Sequence, residues 1–126
     1  MAKTVADVVL DAALNYIKNN GTRLCVCSTQ PTTYTEAITT NMLAIKTIAS
    51  TDYTGPVDDA VDTGRKVSAN LENGITVTNS GTAGFVAIAD SVNSALLYVT
   101  TCTAQVLTAG NTVNVPAWKM TLKDPV

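Results

Sequence analysis

The spacing of apolar residues along this chain changes once, near Gly21, and that change limits the fold more than any other feature. Before Gly21, apolar residues recur at steps of three and one, which is typical of a single amphipathic helix. After it, short runs alternate between apolar and polar residues, which is typical of half-buried strands. The helical stripe consists of Val5, Val8, Val9, Ala12, Ala13, Tyr16 and Ile17. We predict one domain over residues 1–126, with an N-terminal helix over 1–21 and a β-rich body over 22–126.

The ends of the predicted helix carry boundary signals. Thr4 and Asp7 are spaced as a capping box, with Asp in place of the usual Glu. Asp7 near the start and Lys18 near the end are both favourably placed relative to the helix dipole. Asn20-Gly21 predicts a left-handed residue that ends the helix. Because the stripe is narrow, we expect this helix to cover one face of the body.

About seven short strands follow. We place them at 24–27, 42–48, 65–71, 75–77, 85–89, 95–101 and 113–122. Residues 32–41 fit either a helical turn or a loop, and residues 50–64 predict one long acidic loop. Glu72-Asn73-Gly74 predicts a hairpin loop that brings Leu71 opposite Ile75 and Ala69 opposite Val77. The fold class is therefore mainly β, a β-sandwich or small barrel with the helix packed on it.

Two further patterns predict where strands lie in the sheet. The apolar runs Phe85–Ala89 and Ala95–Thr101, joined by a turn over 90–94, are expected at its centre. In the last strand the apolar phase slips at Pro116, which predicts a kink and an edge position. An edge strand can pair with a strand of a partner, so we nominate four of its residues for partner binding. These are Trp118, Met120, Thr121 and Leu122.

The residue types needed for common chemistry are missing from the sequence. There is no histidine, and no glycine-rich phosphate-binding motif occurs. Cys25, Cys27 and Cys102 have no zinc-site spacing and are expected to be buried free thiols, although Cys102 could reach either of the others. We predict a non-enzymatic protein with no catalytic residue, metal, cofactor or small-molecule substrate.

Four aspartates fall in or next to the predicted long loop: Asp52, Asp58, Asp59 and Asp62. Together they could hold a calcium ion, which binds six to eight oxygens. Their order does not match a known calcium-loop spacing, so a solvated acidic loop is the preferred interpretation. Tyr98 and Trp118 also allow two interpretations, as core aromatics or as exposed binding anchors, and we prefer the core.

The surface composition favours a protein partner. Charged residues make up 14% of the chain, against ~25% in an average soluble domain, and 21 residues are threonine. Few charges suit burial against another protein, because charged side chains are costly to desolvate. The net charge is −2 and the cations are scattered, which argues against nucleic acid. No run resembles a signal peptide or a membrane span, so we expect a protein made in a cytoplasm and not bound to membranes.

Two segments resemble small virion proteins of tailed bacteriophages. They are AALNYIKNNGTRLCVCSTQPTTYTEA at 12–37 and LLYVTTCTAQVLTAGNTVNVPAWKMTLKDPV at 96–126. In those proteins a helix ending in NYI precedes an STxPTTYxxA segment, and the last strand ends in DPV. The resemblance implies a virion structural protein, made in the host bacterial cytoplasm, that decorates the capsid by binding the major capsid protein or another virion protein, and that could form homo-oligomers.

Two other functions stay open. One is a neck or tail protein of the virion that recognises host-surface sugars, which would be present in far fewer copies than a capsid decoration. The other is a small bacterial enzyme or ligand-binding module, which would need a pocket lined by carboxylates or a bound metal.

Overall fold

A computed structural model describes residues 5–61 and 64–123 of the chain. Within these residues one helix precedes nine strands, and the prediction of a mainly β protein with one N-terminal helix is confirmed. A π-type helical turn spans Glu36–Thr40 and a 3-10 turn spans Ser50–Asp52. The elements are α1 (Asp7–Asn20), β1 (Arg23–Cys27), β2 (Met42–Thr47), β3 (Tyr53–Asp58), β4 (Arg65–Ala69), β5 (Glu72–Thr76), β6 (Gly81–Asp90), β7 (Ala95–Leu107), β8 (Thr112–Val115) and β9 (Trp118–Leu122).

The strands form three antiparallel sheets that broadly make a β-sandwich. Their orders are β2-β1-β6-β7, β3-β4-β9 and β5-β8. The main core contains residues from all three sheets, and Leu14 of α1 contributes to it. Its strand residues include Leu24, Val26 and Ile88 from the first sheet, Val67 and Met120 from the second, and Ile75 and Val113 from the third.

The four-stranded sheet is buried on both faces near β1. Leu24 and Val26 face the main core, whereas Cys25 and Cys27 belong to a second cluster with Ala37 of the Glu36–Thr40 turn. Both faces being covered explains why the sequence of β1 is apolar at four consecutive positions. The predicted alternation of Leu24 and Val26 with the two cysteines is therefore confirmed.

The predicted buried stripe of α1 is mostly wrong. The helix buries Leu10 and Leu14 and partly buries Ile17, while Val8 and Val9 are exposed. Ala12, Ala13 and Tyr16 are exposed as well. The helix therefore packs with a different side than predicted. That side buries Leu10 and Leu14 in the core, and its Asp11 carboxylate accepts a hydrogen bond from Arg65 of β4. Of the stripe, only Ile17 packs against the core.

Both predicted boundary signals of α1 are also corrected. Its N-cap residue is Ala6, which makes no side-chain capping bond, and Thr4 lies outside the described residues. Gly21 follows the helix with φ −76°, so it is not left-handed. Glycine is needed there because an added Cβ would meet the Tyr53 hydroxyl, and would lie 2.5 Å from the Ile88 side chain.

Long-range pairing replaces three local predictions. Residues 72–76 form a strand, β5, that pairs with β8, so the hairpin with β4 is wrong, and Leu71 is exposed. The long loop contains a strand, β3, which pairs with β4. β6 is an interior strand as predicted, but β7 is an edge strand of the same sheet and not a central one. The edge position of β9 and the turn before β7 are confirmed.

Candidate interaction surfaces

The four nominated partner-binding residues all lie on the edge strand β9, but their side chains turn largely inward. Met120 is 1% exposed and belongs to the core. Trp118 and Leu122 pack against the core, and the ring of Trp118 lies 5.7 Å from that of Tyr98. Thr121 donates its hydroxyl to Asp59 Oδ2 at 2.8 Å. A partner at β9 would therefore meet mainly backbone, and partner binding by these residues stays a prediction.

The contact between Thr121 and Asp59 also changes how binding at β9 can be tested. Substituting Pro for Thr121 would remove a backbone donor from this edge strand, since proline has no N–H. The same change removes the hydroxyl that a buried carboxylate accepts. If that variant lost binding, the cause could be either the missing backbone donor or destabilisation of the fold.

The structure separates the aspartates of the predicted acidic loop. Asp52 accepts a bond from the Ala49 N–H, Asp58 pairs with Arg65, and Asp59 is buried against Lys119. Asp62 lies outside the described residues. A solvated loop is therefore the wrong description of Asp59, which is 3% exposed. Over residues 5–61 and 64–123, no group of three or more His, Cys, Asp or Glu side chains is placed to hold a metal ion.

Arg65 is the main polar junction between α1 and the sheet β3-β4-β9. Its Nε and one terminal nitrogen donate to the two oxygens of Asp11, at 2.8 and 3.1 Å. The other terminal nitrogen donates to Asp58 at 2.8 Å. These hydrogen bonds, first from Asp11 and then from Asp58, raise the pKa of the Arg65 guanidinium. The junction is structural, because each of the three guanidinium nitrogens donates to α1 or β3.

The three thiols differ in environment. Cys25 and Cys27 are buried as predicted, but Cys102 is exposed on β7, which corrects the expectation of three buried thiols. All three are free. Burial raises the pKa of the Cys25 thiol to about 12 and that of Cys27 to about 11. The two buried thiols are accordingly poor nucleophiles at neutral pH.

A half-open groove of about 220 Å³ lies beside β7 and β8. Val86 and Val115 contribute apolar surface to it, and Cys102 and Gln105 contribute polar atoms. None of the described residues that line it is charged. It therefore offers apolar contact and a few hydrogen bonds rather than an acid–base pair.

The outer side of β7 is a long, open backbone edge. β7 pairs with β6 on one side, and no described strand pairs with the other. Its 13 residues, ALLYVTTCTAQVL, contain no charge and no proline, and positions 101–106 are all exposed. Reasoning from sequence missed this edge because apolar runs are typical of central strands. The sequence did contain one signal of a long exposed strand, a run of thirteen uncharged residues that exceeds the length of most strands.

No described helix is long and apolar enough to cross a bilayer. No protein-family model matches the chain, and no curated protein or solved structure is significantly similar to it.

Proposed function

We propose that this chain is a non-enzymatic structural protein of a tailed-phage virion, and that it decorates the capsid by binding the major capsid protein. The phage assignment rests on the resemblance of residues 12–37 and 96–126. The binding assignment is supported mainly by one observation, the long uncharged edge of β7. The low fraction of charged residues agrees with both.

The edge of β7 lacks most of the features that protect natural sheets from pairing with other chains. Such edges are usually short, or carry lysine, proline or bulges. β7 has irregularities of pairing at two places, near Leu97 and at 102–104. Between them, Tyr98–Thr101 pairs with β6 residue for residue, which leaves an even stretch of backbone donors and acceptors on the outer side. We expect one short strand of the partner to pair there.

The charge distribution predicts how such binding responds to salt. No charged residue lies on β7, and the net charge of the chain is only −2. Backbone hydrogen bonds and apolar contact are screened far less than exposed ion pairs. The number of copies bound to capsids should therefore be nearly the same in low salt and in ~0.5 M salt.

A pair of neighbouring proline variants tests the β7 edge. In an antiparallel pair, successive residues direct their N–H groups to opposite sides, so Thr100→Pro and Thr101→Pro differ in which side loses a donor. The variant whose missing N–H faces β6 should lose a hydrogen bond of the sheet and be less stable. The other should keep its melting temperature and fail to co-sediment with capsids of the phage that encodes this chain. The destabilised member of the pair serves as the matched control.

Two results would contradict this proposal. A stable proline variant that co-sediments like the wild type would exclude pairing at β7, and loss of binding in ~0.5 M salt would indicate ion pairs instead. Copy number in the purified virion tests the location: hundreds of copies support a capsid decoration, and a dozen or fewer support the neck or tail. Absence from the virion would remove the phage assignment.

A further inference from the structure

The side of α1 that points away from the body is uncharged and largely apolar, with Asn19 as an exposed polar residue at its C-terminal end. Val8 is 72% exposed, Val9 59% and Tyr16 51%, and Ala12 and Ala13 are exposed between them. We call these five residues the outer face of α1. The inner side, with Leu10, Leu14 and Ile17, is also apolar and packs against the core.

The charges of α1 do not lie on its outer face. Asp7, Asp11 and Lys18 are spaced by four and seven residues, which places them on one side of a helix. Two of them are directed at the body: Asp11 binds Arg65, and Lys18 donates to the Gly55 carbonyl oxygen at 2.8 Å. A surface helix normally carries its charged residues on the solvent side, and a helix that is apolar on both sides is normally buried. The outer face is therefore suited to contact with another protein.

We propose that the outer face of α1 is covered by the same face of a second copy of this chain, with the two helices antiparallel across a two-fold axis near Ala12. Val8, Ala12 and Tyr16 follow one another at steps of four, so they form one row along the face. Two-fold rotation about Ala12 brings Val8 of one copy opposite Tyr16 of the other, twice. Ala12 then faces Ala12 at the axis, while the larger Val8 and Tyr16 face each other on either side, so the row suits two helices that cross closely at Ala12 and diverge toward their ends.

Charge and backbone geometry both favour a second copy as the occupant. The outer face has no charged residue, so pairing it with itself opposes no like charges. Antiparallel helices also place the positive end of each dipole beside the negative end of the other. Ala12 and Ala13 present only methyl groups at the crossing, which allows the two backbones to approach closely.

The size of the face predicts a weak dimer. A helix of 14 residues is ~21 Å long, and one helix pair buries less than the ~1,200 Å² of a small stable interface. We therefore expect a reversible dimer with a dissociation constant of the order of 10 to 100 µM. This inference rests on α1 alone and is independent of the proposed capsid contact at β7.

Charge variants at Ala12 test the two-fold arrangement. Ala12→Glu and Ala12→Lys each place like charges opposite one another at the axis, so each variant alone should stay monomeric. An equimolar mixture should restore dimers, because Glu then faces Lys. Both residues are good helix formers, so circular dichroism and melting temperature should stay close to those of the wild type. Thr108→Glu and Thr108→Lys, at an exposed position outside α1, are the matched controls and should dimerise normally.

Sedimentation velocity from about 1 µM to about 500 µM measures the outcome. The expected results are a concentration-dependent dimer for the wild type, monomers for each Ala12 variant and dimers for their mixture. A wild type that is monomeric throughout this range would overturn the proposal, as would dimers of Ala12→Glu alone or a mixture that stays monomeric. Capsid co-sedimentation of Ala12→Glu separates the two proposals, since binding through β7 does not require the dimer.

Discussion

The Tyr53 hydroxyl donates to the carbonyl oxygen of Gly21 at 2.9 Å, and this contact joins the end of α1 to β3. The approach is so close that a Cβ at position 21 would collide with the same hydroxyl. It would also lie 2.7 Å from the Ile17 carbonyl oxygen. The junction between helix and body thus depends on the absence of a side chain at one position.

Replacing Gly21 by Ala should destabilise the fold by ~1–3 kcal/mol, the usual cost of overpacking. Gly74→Ala is the matched control: Gly74 has φ +68°, but nothing lies within 4 Å of an added Cβ. That control should lose only the ~1 kcal/mol of an alanine in a left-handed conformation. Chemical denaturation compares the two, and a Gly21→Ala variant as stable as Gly74→Ala would contradict the close-approach argument.

Removing residues 1–20 should unfold the domain. The truncation exposes the surface against which Leu10, Leu14 and Ile17 pack, and full burial of such side chains stabilises by ~1.5–3 kcal/mol each. It also leaves Arg65 without Asp11. The total approaches the ~5–15 kcal/mol stability of a typical domain. A truncated chain that stays soluble with an unchanged melting temperature would show that α1 is a separate arm.

Thr121→Val should destabilise the protein by ~1–3 kcal/mol, because it removes a hydrogen bond from the buried carboxylate of Asp59. Thr112→Val is the control, since Thr112 is an exposed strand residue for which valine is also well suited. The midpoint of urea unfolding should fall for the first variant and stay nearly constant for the second. Equal midpoints would mean that the hydroxyl contributes no net stability.

The stability contributed by Asp90 should disappear in acid. Hydrogen bonds from the Asn93 side chain, and from the backbone N–H groups of Asn93 and Val92, lower the pKa of Asp90. Its contribution is therefore complete above the ordinary Asp pKa of ~3.9 and is lost as the pH falls through the lower folded-state pKa. The melting-temperature difference between wild type and Asp90→Asn should be large at neutral pH and should narrow in acid, as the pH falls through the lowered folded-state pKa. A difference that is constant with pH would contradict this assignment.

One thiol should react rapidly in the native protein. Partial desolvation raises the pKa of Cys102 too, but its side chain is exposed, whereas Cys25 and Cys27 are buried and their pKa values are raised to about 12 and about 11. Only the thiolate is nucleophilic, so a disulfide reagent at pH ~8 should modify Cys102 first and the other two after unfolding. Cys102→Ser should abolish the fast phase. A fast phase that persists in this variant would place a second thiol at the surface.

Several features of the fold follow from local sequence alone. The alternation of Leu24 and Val26 with Cys25 and Cys27 places them on opposite faces of β1, as the structure confirms. The phase slip at Pro116 correctly predicts that β9 is an edge strand. Such patterns are reliable because the direction of a side chain on a strand depends only on its position along that strand.

Only the tertiary structure decided which surfaces of the helix and strands pack against one another. The inward side of α1 depends on Asp11 and Arg65, which are 54 residues apart, and the burial of Asp59 depends on Lys119, which is 60 residues away. The pairing of β5 with β8 likewise overrides a local hairpin signal at Glu72-Asn73-Gly74. The sequence by itself determined the kind of most elements and the spacing of their side chains, but not that β3 and the start of β5 are strands. Their partners depended on competition among distant segments for the same core, and no local pattern records the free energy of that competition.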